Sequence, residues 1–257
     1  MARRKHSKRR RRRGSFGFLY KLLSVAVICT AIVLALTLFF RVETITVSGQ
    51  RRYTEDQVRE ASGVKSGDNL YLLNKHDVAA RISQALPYVE SIRINRKLPD
   101  TLLIEVRECG PPMAVIQDGY AWLISPQGKI LEQLEESAAG EYARISGCQL
   151  LAPAVGDSVA LATEYSAQQA SLLDLLEALE EAGLTEQVDG IRLDDLSCLN
   201  MDYAGRFTVR MAYGADYVRE LQKLTAVLSK EEIQSNMTGT IDMQLDSERV
   251  LFYQNVR

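Results

Sequence analysis

Residues 22–40 form a run of nineteen positions with no charge at all. At about 1.5 Å rise per residue a helix of that length covers just under the roughly 30 Å of a bilayer's hydrocarbon core, so the run predicts one spanning helix. After it the apolar positions become periodic. Residues 42–48 alternate, with Ile45 and Val47 on one face, and Gly49 ends the strand. Thr54-Glu55-Asp56-Gln57 is a capping box opening a short helix that buries Val58 and Ala61 and stops at Gly63. Gly67-Asp68-Asn69 is a turn. Asn74 caps a second helix, with Val78, Ile82, Ala85 and Leu86 recurring at helical spacing as far as Pro87. Residues 89–95 alternate again, Ile92 and Ile94 inward, Arg93 and Asn95 outward. After a turn at Pro99-Asp100, Leu102, Ile104 and Val106 face in as the hairpin partner. The sum is a βααββ unit.

The pattern from about Pro112 onward is mixed. Ser166-x-x-Gln169 reads as the cap of a helix whose buried stripe is Leu172, Leu175, Leu176 and Leu179, closed by Gly183. Short strands are expected around residues 190–193 and 198–202. Residues 206–211 alternate, with Phe207, Val209 and Met211 on one face. Val218, Leu221, Leu224, Thr225 and Leu228 mark another helix, and Ile241, Met243 and Leu245 another strand. Asp246-Ser247-Glu248 turns into a last strand over residues 249–253. Both leucine stripes read as core. The fold class is α+β: a single transmembrane helix, then the βααββ domain, then a mixed, β-rich C-terminal domain.

Charge gives the anchor a direction. Arg3, Arg4, Lys5, Lys8, Arg9, Arg10, Arg11, Arg12 and Arg13 precede the apolar run. The positive-inside rule therefore sets the N-terminus in the cytoplasm and everything after Arg41 outside. A cleaved secretory signal also starts basic, but its apolar core is about 7–15 residues and ends at a small-x-small site. Here the run is longer and leaves through Phe39-Phe40-Arg41, with Ala35-Leu36-Thr37 the only weak cleavage candidate. A nucleic-acid reading of the arginine tract fails because the tract lies at the lipid headgroups. Residues 1–41 carry eleven of the 31 Lys and Arg and none of the 33 Asp and Glu, which leaves 20 basic against 33 acidic residues downstream, a net −13. Such an acidic part does not bind nucleic acid by counterion release. It is expected to stay off an anionic membrane surface and to stand away from its anchor.

The order of several short motifs resembles a known family. Gly63-Val64-Lys65-Ser66-Gly67-Asp68-Asn69-Leu70, Leu86-Pro87-Tyr88-Val89-Glu90-Ser91, Arg96-Lys97-Leu98-Pro99-Asp100-Thr101-Leu102 and Val106-Arg107-Glu108 look like the POTRA domain of the FtsQ/DivIB cell-division family. Trp122-Leu123-Ile124-Ser125-Pro126-Gln127-Gly128-Lys129-Ile130-Leu131 resembles that family's strand-turn-strand segment after the POTRA domain. Arg144-Ile145-Ser146-Gly147 departs from the family, which usually shows Leu-Pro before the Ile-x-Gly. The resemblance implies a cytoplasmic basic tail over 1–21, a transmembrane helix over 22–40, a POTRA domain over 42–110 and a β-domain over 111–257. It implies a bitopic scaffold of the bacterial divisome, in the cell (inner) membrane and at the division septum, which regulates septal peptidoglycan synthesis through partners. Those partners would be FtsB/DivIC-type and FtsL-type division proteins, with no small-molecule substrate and no nucleic acid.

Candidate chemistry changes this picture little. Cys29 falls in the apolar run. Cys109, Cys148 and Cys198 are far apart; one bridge among them stays open, with lone buried thiols expected. There is no C-x-x-C, and the histidines are His6 and His76, so no zinc site, catalytic residue or cofactor site is expected. His76 reads as a solvated residue at a helix start. Glu135-Glu136, Glu180-Glu181 and Asp194-Asp195 could suggest a membrane-anchored wall enzyme working with two carboxylates. Neighbours in sequence point in different directions, however, so adjacency makes no dyad. A POTRA-type membrane-assembly or secretion accessory would carry repeated units, and self-similarity is absent.

An interaction protein remains. The final strand, Arg249-Val250-Leu251-Phe252-Tyr253, is apolar on both faces, and an edge strand offers unpaired N–H and C=O groups to a partner's strand. The resemblance implies partner binding there, with Leu245, Val250, Phe252 and Tyr253 as contacts and Leu251 inward. It also implies a recruiting surface on the second POTRA helix and the strand after it, including Tyr88 and Arg93.

Overall fold

The structure is a computed structural model that describes residues 16–229, 234, 236–244 and 250–254. The helix α1 (Phe16–Phe39) opens it. It begins a turn and a half before the uncharged run, so Lys21 lies inside it rather than ahead of it. A helix satisfies its own backbone whether or not it is in lipid, and a lysine near its end can reach the headgroups. Within it the hydroxyls of Ser24 and Thr30 donate to the carbonyls of Lys21 and Ala26, at 2.9 and 2.8 Å. Gly17–Ala35 is long and apolar enough to cross a membrane, and every residue in it is exposed.

The first domain follows without a spacer. Its elements are β1 (Thr44–Ser48), α2 (Glu55–Ser62), α3 (Lys75–Ala85), β2 (Val89–Lys97) and β3 (Thr101–Glu108). The sheet order is β1-β3-β2, with β1 parallel and β2 antiparallel to β3. The capping box is formed as expected: the Gln57 N–H donates to Thr54 Oγ1 and the Thr54 N–H to Gln57 Oε1. Gly63 ends α2 in the left-handed region, at φ 65°. Asn74 caps α3, whose Val78 and Ile82 pack with Val47, Val58, Leu102 and Ile104 into one core. Val42, three residues beyond α1, is already fully buried in that core. The expectation of a domain standing away from its anchor is therefore corrected. At about 3.5 Å per residue, three residues leave roughly 10 Å between helix end and core.

Among the described residues, the second domain is one nine-stranded sheet under two helices. Its strands are β4 (Met113–Gln117), β5 (Tyr120–Ile124), β6 (Ile130–Glu135), β7 (Arg144–Ser146), β8 (Val188–Arg192), β9 (Cys198–Tyr203), β10 (Phe207–Ala212), β11 (Gly239–Asp242) and β12 (Leu251–Gln254). Helix α4 (Ser166–Ala182) lies between β7 and β8, and α5 (Tyr217–Leu228) between β10 and β11. The order is β12-β11-β10-β9-β8-β7-β4-β5-β6, with parallel pairs at β4/β7, β7/β8 and β10/β11. The predicted leucines of α4 meet Leu221 and Leu224 of α5 over Ile145, Ile191, Met201, Val209 and Ile241 of the sheet.

Two local readings need correction. Ser166 does not cap α4; it is the first helical residue, because a short 3₁₀ turn (Thr163–Tyr165) leads the chain in. Gln169 instead turns back to the preceding loop, accepting from the Leu161 N–H at 2.8 Å. In α5 the buried stripe starts with Tyr217, and Val218 is exposed. The Tyr217 hydroxyl finds the Ala212 carbonyl at 3.1 Å, which lets a polar-tipped side chain take the core position.

Candidate partner-binding edge

Among the described residues β12 pairs with β11 alone, so it forms one end of the sheet. The register is Gly239↔Gln254, Thr240↔Tyr253, Ile241↔Phe252 and Asp242↔Leu251. Side-chain direction follows from this register. Ile241 is fully buried, so its cross-strand neighbour Phe252 points to the same face, where its ring meets Phe207 edge-on at 6.1 Å. Val250 also packs on that core. Leu251 and Tyr253 point away and are 39% and 56% exposed. The expected inward Leu251 and outward Phe252 are thus exchanged. Both residues are apolar, so the sequence alone has no polar position with which to set the alternation; the burial of Ile241 sets it.

Backbone direction follows too. The N–H groups of Gly239 and Met243 donate to Arg206 and Arg210 on the β10 side, at 3.2 and 2.9 Å. Residues alternate in the side to which their backbone groups point, so Thr240 and Asp242 face β12 and pair with Tyr253 and Leu251. Phe252 and Gln254 then turn their N–H and C=O to the outer edge. Gln254 carries an exposed side chain. The direction of its backbone groups is set by the ladder with β11, for which the sequence offers no signal.

The sheet face opposite the helices is polar. Arg192 bridges to Asp202 at 2.6 Å, and Arg210 to Asp195 and Asp242 at 3.4 and 3.5 Å. The hydroxyl and N–H of Ser197, then the Cys198 thiol, hold the Asp195 carboxyl down to about 2, with Arg210 adding to it. These charges satisfy one another, which leaves the edge, not the face, as the apolar surface of this end. No cluster of His, Cys, Asp and Glu among the described residues could hold a metal ion. Cys109, Cys148 and Cys198 are free thiols, as is Cys29.

The other expected contacts fall elsewhere. Leu245 lies outside the described residues, as do Arg249 and the turn before it. Arg93 is exposed on β2, an edge strand of the first domain. Tyr88 is only 7% exposed and sits between the two domains. Its hydroxyl donates to Glu132 of β6 at 2.8 Å, Arg52 lies 3.9 Å over its ring, and its N–H donates to the Tyr53 hydroxyl. Little of it is left for a recruiting surface. It packs with Ala114, Ala121, Leu123 and Leu131 of the second domain, so its apolar ring belongs to the junction. Lys129 Nζ reaches the Ser83 carbonyl across the same junction at 3.4 Å.

Comparison with known proteins agrees with this architecture. Residues 40–108 match the FtsQ-type POTRA domain. The chain is 25% identical to the cell division protein FtsQ of Geotalea daltonii, over 85% of this chain and 78% of that protein. It is 28% identical to FtsQ of Syntrophotalea carbinolica, over 81% and 75% respectively. It is 22% identical to the cell division protein DivIB of Clostridium botulinum, over 83% and 82%. The POTRA match lies directly after an apolar helix, and over 81–85% of its length the chain is similar to FtsQ and DivIB cell-division proteins.

Proposed function

We propose that this protein is a single-pass scaffold of the division machinery that works by contact and performs no catalysis. Helix α1 anchors it in the cell membrane with the basic tail in the cytoplasm, and both folded domains stand outside at the septum. The β12 edge takes a strand from an FtsB/DivIC-type partner, with an FtsL-type protein in the same complex, and so regulates septal peptidoglycan synthesis. One observation carries this reading: β12 ends the sheet with Leu251 and Tyr253 outward and with the backbone groups of Phe252 and Gln254 turned to the open edge. Main-chain bonds to an added strand give affinity, and the alternate outward side chains give specificity. Val250 and Phe252 back the strand from the core side. Confinement of both partners to one membrane raises their effective concentration, so a short strand suffices. Arg93 on the β2 edge offers a second, separate recruiting surface.

Gln254→Pro removes an outward N–H without deleting a packed side chain. It should weaken capture of the FtsB/DivIC-type partner about tenfold, equivalent to about 1.4 kcal/mol. Tyr253→Asp should act in the same direction by placing charge on the contact face. Both variants should fail to hold the partner at mid-cell. Wild-type capture and localisation in both would show that the partner docks elsewhere.

A further inference from the structure

The membrane-proximal end of the first domain carries its own exposed apolar tips. The loop after Gly67 presents Tyr71 and Leu72, 48% and 78% exposed, and the β2–β3 turn presents Leu98, 54% exposed. Single exposed leucines are ordinary; what distinguishes these is where the backbone holds them. The Leu70 N–H donates to the Phe40 carbonyl at 3.0 Å, and Val42 exchanges bonds with the same loop, its N–H to Asp68 and its carbonyl from Gly67, both at 2.8 Å. The Glu43 N–H donates to the Asp100 carbonyl at 2.8 Å, which brings the Leu98 turn alongside. Arg96 ties the two tips together through the Leu73 carbonyl at 2.7 Å. Both tips are thus fixed to the four residues that follow α1. Phe39, Phe40 and Tyr71 form an edge-to-face chain across the exit, with centroids 5.4 and 5.0 Å apart.

We infer that the Tyr71–Leu72 loop and the Leu98 turn insert into the headgroup–acyl boundary of the outer leaflet, so that the first domain rests on the membrane as well as hanging from it. The inference rests on the reading of α1 as a membrane anchor. Aromatic rings at a helix exit are suited to the interface, and leucines beside them to the acyl boundary. Charge permits it as well. The downstream chain is net −13, yet this end sets Arg41, Lys65, Arg96 and Lys97 against Glu43, Asp68 and Asp100. A rim with that balance is not repelled by anionic headgroups, unlike the second domain, where residues 111–257 carry the whole of that −13. The contact would fix how the first domain tilts over the bilayer, and with it how far the β12 edge stands from the surface.

The test uses the full chain in vesicles of phosphatidylglycerol and phosphatidylethanolamine containing brominated acyl chains, with no other protein. Trp122 is the sole tryptophan, so wild type supplies the background. Leu72→Trp and Leu98→Trp each add a reporter at a tip, and Leu196→Trp adds one at an exposed position of the second domain. The added emission at 72 and 98 should be blue-shifted and quenched about twofold, as for an interfacial indole, and that at 196 should be unquenched. Flotation after an alkaline carbonate wash reports the anchor separately. If the chain stays with the vesicles while both tip reporters remain unquenched, the lipid contact is overturned and the anchor stands. If the wash strips the chain from the vesicles, the anchor and the lipid contact fall together.

Discussion

Glu90 and Glu108 sit at the same end of the β2–β3 hairpin, and their surroundings act on their charge in opposite directions. Burial pushes the Glu108 carboxyl up, but N–H groups donated by Arg52 and Tyr53, at 2.7 and 3.0 Å, outweigh it and hold the group below its ordinary value. Burial also pushes Glu90 up, nearby Glu180 adds to the rise, and Arg107 at 3.2 Å only partly offsets them. The stability consequences have opposite signs. Glu108 contributes stability that is present above the ordinary carboxylate value and is lost as pH falls through its lowered folded value. Glu90 contributes stability that is present below the ordinary value and is lost as pH rises through its raised folded one. Glu108→Gln should therefore lower the melting temperature at pH 7 by about 2–6 °C, the equivalent of about 1–2 kcal/mol, with the gap to wild type closing in acid. Glu90→Gln should melt at or slightly above wild type at pH 7 and lose wild type's gain on mild acidification. Melting curves of the detergent-solubilised protein between pH 4 and 8 check both. The lowered Glu108 also holds the segment bearing Arg52 and Tyr53, which clamps Tyr88 in the junction, so its loss should loosen that contact first.

The elements that could be read from the chain were those whose signal is local. The capping box at Thr54, the stop at Gly63 and the leucine stripe of α4 each depend on side chains within a turn or two of one another. Pairing over distance left no such trace. β7, three residues long, enters the sheet parallel between β4 and β8, a placement set by tertiary contacts and not by its own pattern. β12 was legible as an apolar strand, but its facing was not, because apolar residues occupy both parities and only Ile241 across the ladder decides. Gly239 shows how closely that ladder is built. A Cβ there would overlap the Tyr253 carbonyl oxygen and lie 2.8 Å from the Phe252 ring and 3.0 Å from Gln254 Cα. Gly239→Ala must then displace β12 while deleting none of its side chains. An overpacking cost of about 1–3 kcal/mol falls on the strand itself. Amide exchange over residues 251–254 should speed up and partner capture should fall, while the remaining strands keep wild-type protection. Unchanged capture with a loosened β12 would separate the strand from docking.

At the scale of the whole molecule, charge asymmetry and fold have to agree on which side of the membrane the domains lie. Nine basic residues precede the helix, Lys21 is inside its first turns, and Arg41 follows it. Neutralising the nine would leave Lys21 on one side against Arg41, Arg51 and Arg52 on the other, and the positive-inside bias would no longer favour the wild-type orientation. Wild type in spheroplasts should therefore lose residues 42–257 to added protease while an N-terminal tag stays protected. The neutralised variant should split into two protease-resistant populations, one with each end shielded. The fold sharpens the expectation for the wild type. Val42 is already core, so the protease has only the few residues around Arg41 between bilayer and domain in which to cut the chain free. If the first domain rests on the leaflet, that cut should be slow, and it should quicken when Leu72 and Leu98 are both replaced by serine. Cleavage at Arg41 would then report the tilt of the domain, and through the packed Tyr88 junction the presentation of β12, from a site at the far end of the chain.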